Sequence, residues 1–333
     1  MARPEFPRSL PAFMEMFPDE GRAADWIVQA RWPDGWQCPV CNHAAFYARK
    51  NKRQMECAGC GEITSVTSGT VLHGTRTPLR TWLLAAWLMV TDKRGLSSYQ
   101  LERQLGLSHE VAFVMLHKLR AAMVDPGHGA LNGVVEVDES QLGAGKRGRP
   151  AAEVFEKVHI VGAVEVREFT SKKGEASTRP GRIRFRLVPA RQKRHLVKFV
   201  EENVEPGSVV VTDALTHYND VALKGYERRI ESETLGMKAD DILKHYHLAV
   251  SNLKTWLAGT HHGRVEPKHL QAYLNEYVFR FNRRNNLYAA FARLLGIGTH
   301  VLGPRYHQLY VDDGEPGGWA HPSSGKARDA RPA

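Results

Sequence analysis

A chain of 333 residues with 42% hydrophobic side chains can bury a substantial core and has room for two or three domains, which excludes a disordered protein. Its net charge of +10 and isoelectric point near 9.5 favour a polyanionic partner, and the longest apolar runs, such as WLLAAWLMV at 82–90, are too short for a membrane span. Nucleic acid is therefore the expected partner rather than lipid, and the N-terminus MARPEFPRSLPAF, lacking an apolar signal core, sets the expectation of a cytoplasmic protein.

Residues 1–30 hold proline punctuation and a short amphipathic helix around Ala23, Ala24, Trp26 and Ile27. All four cysteines follow, spaced as Cys38-x2-Cys41, fifteen residues, and Cys57-x2-Cys60. Two thiolates of one turn reach the same tetrahedral ion, and the intervening stretch is long enough for a hairpin that joins the two knuckles. A single structural Zn2+ closed by four cysteines is expected; disulfides or free thiols are the competing reading. Arg49, Lys50, Lys52 and Arg53 crowd the hairpin tip, as a phosphate-contacting finger or a solvated basic turn.

Thr77-Pro78 has the form of a helix start, with Thr77 as the cap, for a core helix running to about Val90. Ser97-Ser98-Tyr99-Gln100 opens a helix to Leu105, Gly106-Leu107-Ser108 forms a turn, and residues 109–123 form a second helix. This is a helix-turn-helix pattern. Ala112, Met115, Leu116, Leu119 and Met123 supply the buried face of the second helix, leaving His109, Glu110, His117, Lys118 and Arg120 exposed for DNA. A purely structural hairpin is the alternative. The basic loop 143–150, with Lys146, Arg147 and Arg149, resembles a minor-groove hook, although a flexible surface loop is the commoner form.

Beyond Asp125 the pattern changes to strands at 133–138, 157–166 and 182–188, a helix at 191–204, a strand at 208–213, a short helix at 218–224 and a strand at 227–232. Residues 170–181 read as a hairpin connection. A helix over 240–259 follows, with Leu243, Tyr246, Val250, Leu253 and Leu257 on one apolar stripe and Lys244, His247 and Lys254 on another face. Residues 267–284 form a further amphipathic helix, and the last twenty residues have the composition of a disordered tail. The expected domains are 1–65 (helix and zinc ribbon), 66–128 (helix-turn-helix), 129–305 (α/β layered domain) and a tail from 306 to 333.

Asp138 and Asp213 each read as an acid at the C-terminal end of an apolar strand, where α/β sheets place their chemistry. Paired carboxylates suit Mg2+ or Mn2+, and two such ions suit phosphoryl displacement; an Asp after a strand also commonly caps a turn. Candidates for a third ligand are His247, Glu276, Glu136, Asp220, Asp240 and Asp241. Glu136 shares a strand face with Asp138 and suits a supporting role, Glu276 suits an ion pair with Arg280 or Arg283, and Asp240 and Asp241 suit a helix start. Lys254 lies on the His247 side of its helix, placed to meet a phosphate.

The run His247-Leu-Ala-Val-Ser-Asn-Leu-Lys254, continuing to His262, and the segment from His269 through Glu276 to Arg284 closely resemble the ISXO-like transposases of the insertion-sequence 1595 family. The zinc ribbon, the helix-turn-helix and the Val-Asp138-Glu-Ser segment match in order, so the resemblance covers roughly residues 20–305. It implies an α/β RNase H-like catalytic core, a mixed five-stranded sheet with helices in strand order 3-2-1-4-5. It also implies two catalytic Mg2+ or Mn2+ ions, and cleavage of transposon ends followed by strand transfer into target DNA. Asp138, Asp213 and Lys254 take the family's places, and His247 stands at the third ligand position, where glutamate is usual and asparagine or histidine occur in some branches. A neutral, softer imidazole predicts a stronger preference for Mn2+, and activity falling below about pH 6.5 as the ring protonates. Cutting two ends together implies a homo-oligomer, acting in a prokaryotic cell at the nucleoid. The competing functions are a DNA-binding regulator that has lost catalysis, and a metal-dependent nuclease that cuts without joining.

Overall fold

The computed structural model describes residues 6–49, 53–125, 127, 129–142, 158–171, 174–261 and 265–310, arranged as two compact units. The first opens with α1 (Leu10–Met16) and α2 (Glu20–Arg31), capped by the side chains of Ser9 and Asp19. An antiparallel ribbon follows, β1 (Phe46–Ala48), β2 (Gln54–Cys57) and β3 (Ile63–Ser65). It gathers the four thiols: Cys38 and Cys60 Sγ lie 3.6 Å apart, Cys41 and Cys57 Sγ 3.5 Å, and all four atoms lie within 4.8 Å of one another. A tetrahedral zinc with Zn–S bonds of about 2.3 Å holds its sulfurs about 3.8 Å apart, so the quartet fits one closed structural ion. The peptide N–H groups of Val40 and Gly59 point at Cys38 and Cys57 Sγ, donors that stabilise thiolates. A Cβ on Gly59 would sit 3.1 Å from the His43 ring, so glycine lets the second knuckle close.

The basic hairpin tip is partly spoken for. Arg49 pairs with Glu56 and Arg53 with Glu20 and the Thr77 carbonyl, while Lys50 and Lys52 lie outside the described residues. Glu20 also accepts the Leu79 and Arg80 N–H groups at the start of α3 (Leu79–Thr91), at 2.7 and 3.0 Å. The expected Thr77 cap is therefore replaced: Pro78 occupies the cap position without a side-chain bond, and a carboxylate from a distant helix satisfies the first donors.

α4 (Ser98–Leu105) and α5 (His109–Ala121) form the expected helical pair, with Ser97 and Ser108 as caps and Gly106 at φ +63° ending α4. Ala112, Met115, Leu116, Leu119 and Met123 are buried as their spacing predicts.

The second unit spans 126–282. Its sheet contains β4 (Val134–Leu142), β5 (Val158–Thr170), β6 (Ala176–Val188), β7 (Val209–Thr212) and β8 (Glu227–Ile230) in the order β6-β5-β4-β7-β8, or 3-2-1-4-5 counted along the chain. The first three strands are antiparallel, and β7 and β8 run parallel to β4. Each face carries its own core. α6 (Lys193–Asn203) and the 3-10 turn Thr216–Lys224 pack with Val135, Val137, Val161, Val188 and Val210 on one side. α7 (Lys244–His261) and α8 (Pro267–Asn282) pack with Leu142, Ile160, Ile183, Phe185 and Val211 on the other. The edge strand β6 is closed by side chains from α8: Asn282 bonds both backbone groups of Ile183, and Gln271 accepts the Leu187 N–H. The strands of the β5–β6 hairpin continue well into the segment expected as a connection.

Residues after 282 return to the first unit, whereas the sequence assigned 129–305 to one domain. α9 (Leu287–Gly298) is apolar enough to be drawn into the helical core, the Val71 N–H bonds the Gly298 carbonyl at 2.9 Å, and Asp125 pairs with both Arg283 and Arg293. Within the expected tail, residues Tyr306–Tyr310 form α10, and those beyond lie outside the described residues. Among the described residues no helix is long and apolar enough to cross a membrane.

Glu165, 2% exposed on β5, bonds Arg182 through side chain and backbone and also accepts the Asn132 N–H; Arg182 reaches on to the Gly129 and Ala130 carbonyls. Burial alone raises a carboxyl pKa, but the hydrogen bonds and charge of Arg182 outweigh it and hold Glu165 at about 2. The depressed value places the stabilisation in full above the ordinary glutamate range, and it disappears as pH falls through about 2. Glu165→Ala should destabilise the second unit by about 3–5 kcal/mol, because Arg182 keeps a half-buried charge without its carboxylate; a denaturant midpoint within error of wild type would contradict this. For the ribbon, elemental analysis should find one zinc per chain, and chelation or Cys57→Ser should release it and lower the melting temperature of the first unit.

Candidate active site in the second unit

β4 carries Glu136, Asp138 and Ser140 toward α7, because alternate residues of a strand share one face. Asp138 is not at the strand's end, as the sequence suggested, but in its middle, paired with Gly162 of β5; Glu139 to Leu142 continue the ladder. The polar residues after Asp138 stay in the strand because their backbone groups find partners in β5. What ends near Asp138 is the other neighbour. β7 pairs with β4 over Val134–Glu136 against Val209–Val211, and Asp138 and Asp213 each lie two residues beyond the last of these pairs, near the point where the two strands separate.

The electrostatics agree with that placement. Asp138 is 9% exposed, and burial, the adjacent Glu139 and Asp213 together push its carboxyl up to about 7, against smaller lowering contributions from a backbone bond and Arg191. Asp213 follows β7 directly, as expected, and accepts the Leu215 N–H at 3.0 Å, tightening the turn. His247 is exposed on α7 and its pKa is lowered, first by partial desolvation and then by Lys254, with Asp213 opposing. His247 thus lies within electrostatic reach of both Asp213 and Lys254, and Lys254 itself is exposed.

The start of α7 is fixed by two carboxylates. Glu136 accepts the Tyr246 N–H at 2.7 Å and Glu231 the Leu243 N–H at 3.0 Å, while the Tyr246 hydroxyl bonds Ser140 on β4 at 3.2 Å. Leu243 enters the helix at φ +44°, a conformation unfavourable for leucine, and its buried side chain is held in the core. Burial outweighs the helix N–H groups at Glu136 and, with Glu231, raises its pKa to about 7. Gly162 completes the contact: a Cβ there would fall 2.3 Å from the Phe185 ring and 3.0 Å from the Tyr246 ring, so the bare backbone lets both aromatics lie against the sheet beside Asp138.

The remaining acids go elsewhere. Glu276 is fully buried and pairs with Arg280, Asp220 pairs with Lys193, and Asp240 and Asp241 sit in a 3-10 turn before α7. Glu139 faces the opposite core, where it accepts the Tyr218 hydroxyl at 2.8 Å and pairs with Arg191. Sequence reading passed over Glu139, Tyr218, Arg191 and Arg228, since nothing in their local pattern marks long-range partners. Among the described residues, the cysteine quartet is the one gathered group of three or more metal-ligating side chains; Asp213 acts electrostatically on both Asp138 and His247 without the three forming such a group. The donor types fit divalent cations: a buried acid crowded by other carboxylates, a second acid close enough to act on it, and an imidazole close enough to feel the second.

The residues expected to read DNA from α5 fare differently. His117 and Arg120 are 3% and 1% exposed, a correction caused by a wider buried face than the apolar stripe alone defines. Lys118 is half-buried against Trp82 and donates to the His73 carbonyl at 3.0 Å. His109 stacks on exposed Tyr99 with ring centroids 4.3 Å apart and bonds Ser98. Lys146, Arg147 and Arg149 lie outside the described residues.

If Glu136 orients α7, Glu136→Ala should cost about 1–2 kcal/mol, the usual size of a lost helix cap or an unsatisfied buried donor, and Glu136→Gln should retain most of that stability. Chemical denaturation of the two variants checks this; equal losses in both would assign the effect to the carboxylate itself rather than to an accepted hydrogen bond that an amide oxygen can replace.

Comparison with known proteins places these features. Residues 130–282 match the ISXO2-like transposase domain, a range that ends where the second unit ends, and residues 18–62 match the transposase zinc-ribbon domain. A protein described as uncharacterized, in transposable element ISH50 of Halobacterium salinarum, is 28% identical over 139 residues. That similarity covers 41% of this chain and 46% of the relative, less than half the length of either. The chain thus carries an ISXO2-like transposase domain preceded by a transposase zinc ribbon.

Proposed function

We propose that this protein is an insertion-sequence transposase that binds the inverted repeats at transposon ends, cuts the DNA there and joins the freed ends to a target. The observation that carries the reading is the convergence of Asp138 and Asp213 just past the last β4–β7 pair, close enough to act on each other, with His247 on α7 close enough to feel both Asp213 and Lys254, inside the segment similar to the transposase domain. The strand order 3-2-1-4-5 with helices on both faces supports an RNase H-like core.

In this reading Asp138, Asp213 and His247 hold Mg2+ or Mn2+, which when bound supplies charge stabilisation to both the attacking and the leaving oxygens of a phosphodiester. The residues do the positioning. Asp138 enters from the middle of β4 and Asp213 from the hydrogen-bonded turn that directly follows the adjacent strand β7, so both are held by ordered backbone. Lys254 sits two helical turns beyond His247 and orients a phosphate through its charge. A lowered His247 pKa keeps its ring neutral, and so able to donate a lone pair, into mildly acidic solution. For DNA recognition, α4 and α5 serve as a helix-turn-helix presenting His109 with exposed Tyr99 and Arg103 in place of buried His117 and Arg120. Lys146, Arg147 and Arg149 supply a further basic contact, and two copies act together on two ends.

The test incubates the zinc-loaded protein with the DNA ends flanking its gene, in Mn2+ and in Mg2+, and scores nicking and joining for wild type, Asp138→Asn, Asp213→Asn and His247→Ala. Each substitution should lower joining at least a hundredfold while leaving end binding within about threefold, and His247→Glu should shift the preference from Mn2+ toward Mg2+. Specific binding with no nicking by wild type in either metal would replace the transposase with a DNA-binding regulator, and nicking without joined product would make it a nuclease.

A further inference from the structure

Arg228 lies on β8, away from the acids named above, and its guanidinium is aimed back at the turn that carries one of them. Nε donates to the Thr212 hydroxyl at 3.0 Å; one terminal nitrogen donates to the Asp213 carbonyl at 3.0 Å and the Leu215 carbonyl at 2.9 Å; the other bonds the Asn219 side chain. The Thr212 hydroxyl in turn donates to the Asp213 carbonyl at 2.9 Å. Asp213 itself reaches forward to accept the Leu215 N–H. The chain leaves the sheet at Thr212, where ladder bonds to β4 have already ended, so the backbone carbonyls of 213 and 215 need donors from elsewhere. One planar fork reaches both, joining the Thr212 hydroxyl at the first and the Tyr218 N–H, at 3.3 Å, at the second.

We infer that Arg228 is the positioning residue for Asp213, locking the turn after β7 so that the carboxylate is held in place. This rests on the reading of Asp213 as a ligand of the catalytic ions. The geometry selects arginine in particular. Four acceptors lie around one guanidinium, on two oxygens of the backbone and two of side chains, and a lysine ammonium has three donors on a flexible stem and no plane to match them. The Asn219 and Leu215 bonds also tie the turn to the 3-10 segment behind it, so the turn is held on both sides of Asp213. Outer partners of metal ligands commonly change metal affinity or activity by about tenfold to a hundredfold when removed, and Arg228 stands in that relation to Asp213.

The test uses the full chain with its ribbon zinc in place and compares wild type with Arg228→Lys, Thr212→Val and Asp213→Asn. Three quantities are read: amide exchange over residues 213–219 without added metal, calorimetric Mn2+ affinity, and the rates of nicking and joining against DNA affinity. Arg228→Lys keeps the charge but loses the fork, and should speed exchange of the Leu215 amide about tenfold, weaken Mn2+ binding about tenfold and slow joining by a similar factor, with DNA affinity unchanged. Thr212→Val removes one acceptor while leaving Arg228 intact, and should shift all three in the same direction by a smaller factor; it decides the matter should Arg228→Lys fail to fold. Wild-type exchange and Mn2+ affinity in these variants, with Asp213→Asn abolishing Mn2+ binding, would overturn the role of Arg228 and leave the site reading intact. Unchanged Mn2+ binding by Asp213→Asn would overturn both.

Discussion

The parallel pairing of β4 with β7 is short, and its length decides what the second unit can do. Hydrogen bonding joins the two strands over three residue pairs; after Glu136 on one and Val211 on the other, the strands part while β4 remains paired to β5. An opening in a sheet leaves backbone groups without ladder partners and side chains without a neighbour to pack against. Here it is lined by carboxylates that would repel one another in a closed core. Asp138 sits at this opening with its acidity suppressed by burial and by its neighbours, the condition in which a site gains most from a cation. The same divergence lets Asp213 leave the sheet in a tight turn while its charge still acts on Asp138.

α7 answers the opening from the side. Its first turn carries N–H groups with no partner inside the helix, and the sheet supplies acids to meet them: Glu136 from β4, and Glu231 just past β8. Those two bonds, with Tyr246 lying over Gly162, set both the height and the rotation of the helix. Since Tyr246 faces the core, His247 is turned about 100° from it to the rim, and Lys254 follows on the same side. The supporting acids and the presented histidine are thus parts of one arrangement, and a change in the cap would be felt at the rim.

Much of this was legible from local pattern. The apolar stripe from Leu243 to Leu257 is buried as a 3.6-residue period requires, and the alternation of Ile183 and Phe185 with arginines marks the inward face of β6. The cysteine spacing fixed the ribbon, because four thiolates allow few other arrangements. What escaped reading depends on partners far along the chain. Asp138 looked terminal because polar residues follow it, yet those residues stay in the strand through pairing with β5. His117 and Arg120 looked exposed because they are polar, yet the first unit wraps around α5 on more sides than its apolar stripe indicates. The Thr77 cap gave way to Glu20, fifty-nine residues before Leu79, and the fork of Arg228 reaches back from β8 across the 3-10 segment to the turn after β7, a partnership that no periodic pattern marks.

The charge inventory around β4 gives a physical reason for a neutral donor at the third position. Glu136 and Glu139 flank Asp138 in sequence, one on each face of the sheet, and Glu231 stands close enough to raise the pKa of Glu136. Only part of this charge is balanced, by Arg191 at Glu139 and by Arg229 near Glu231. A third carboxylate on α7 would add to the repulsion that already suppresses ionisation of Asp138, and a divalent ion would first have to displace more protons. An imidazole at residue 247 avoids that, and Lys254 beside it favours the neutral ring. The proposed histidine ligand is therefore a substitution that this crowded acidic sheet accommodates better than glutamate, at the expense of some attraction for the harder Mg2+.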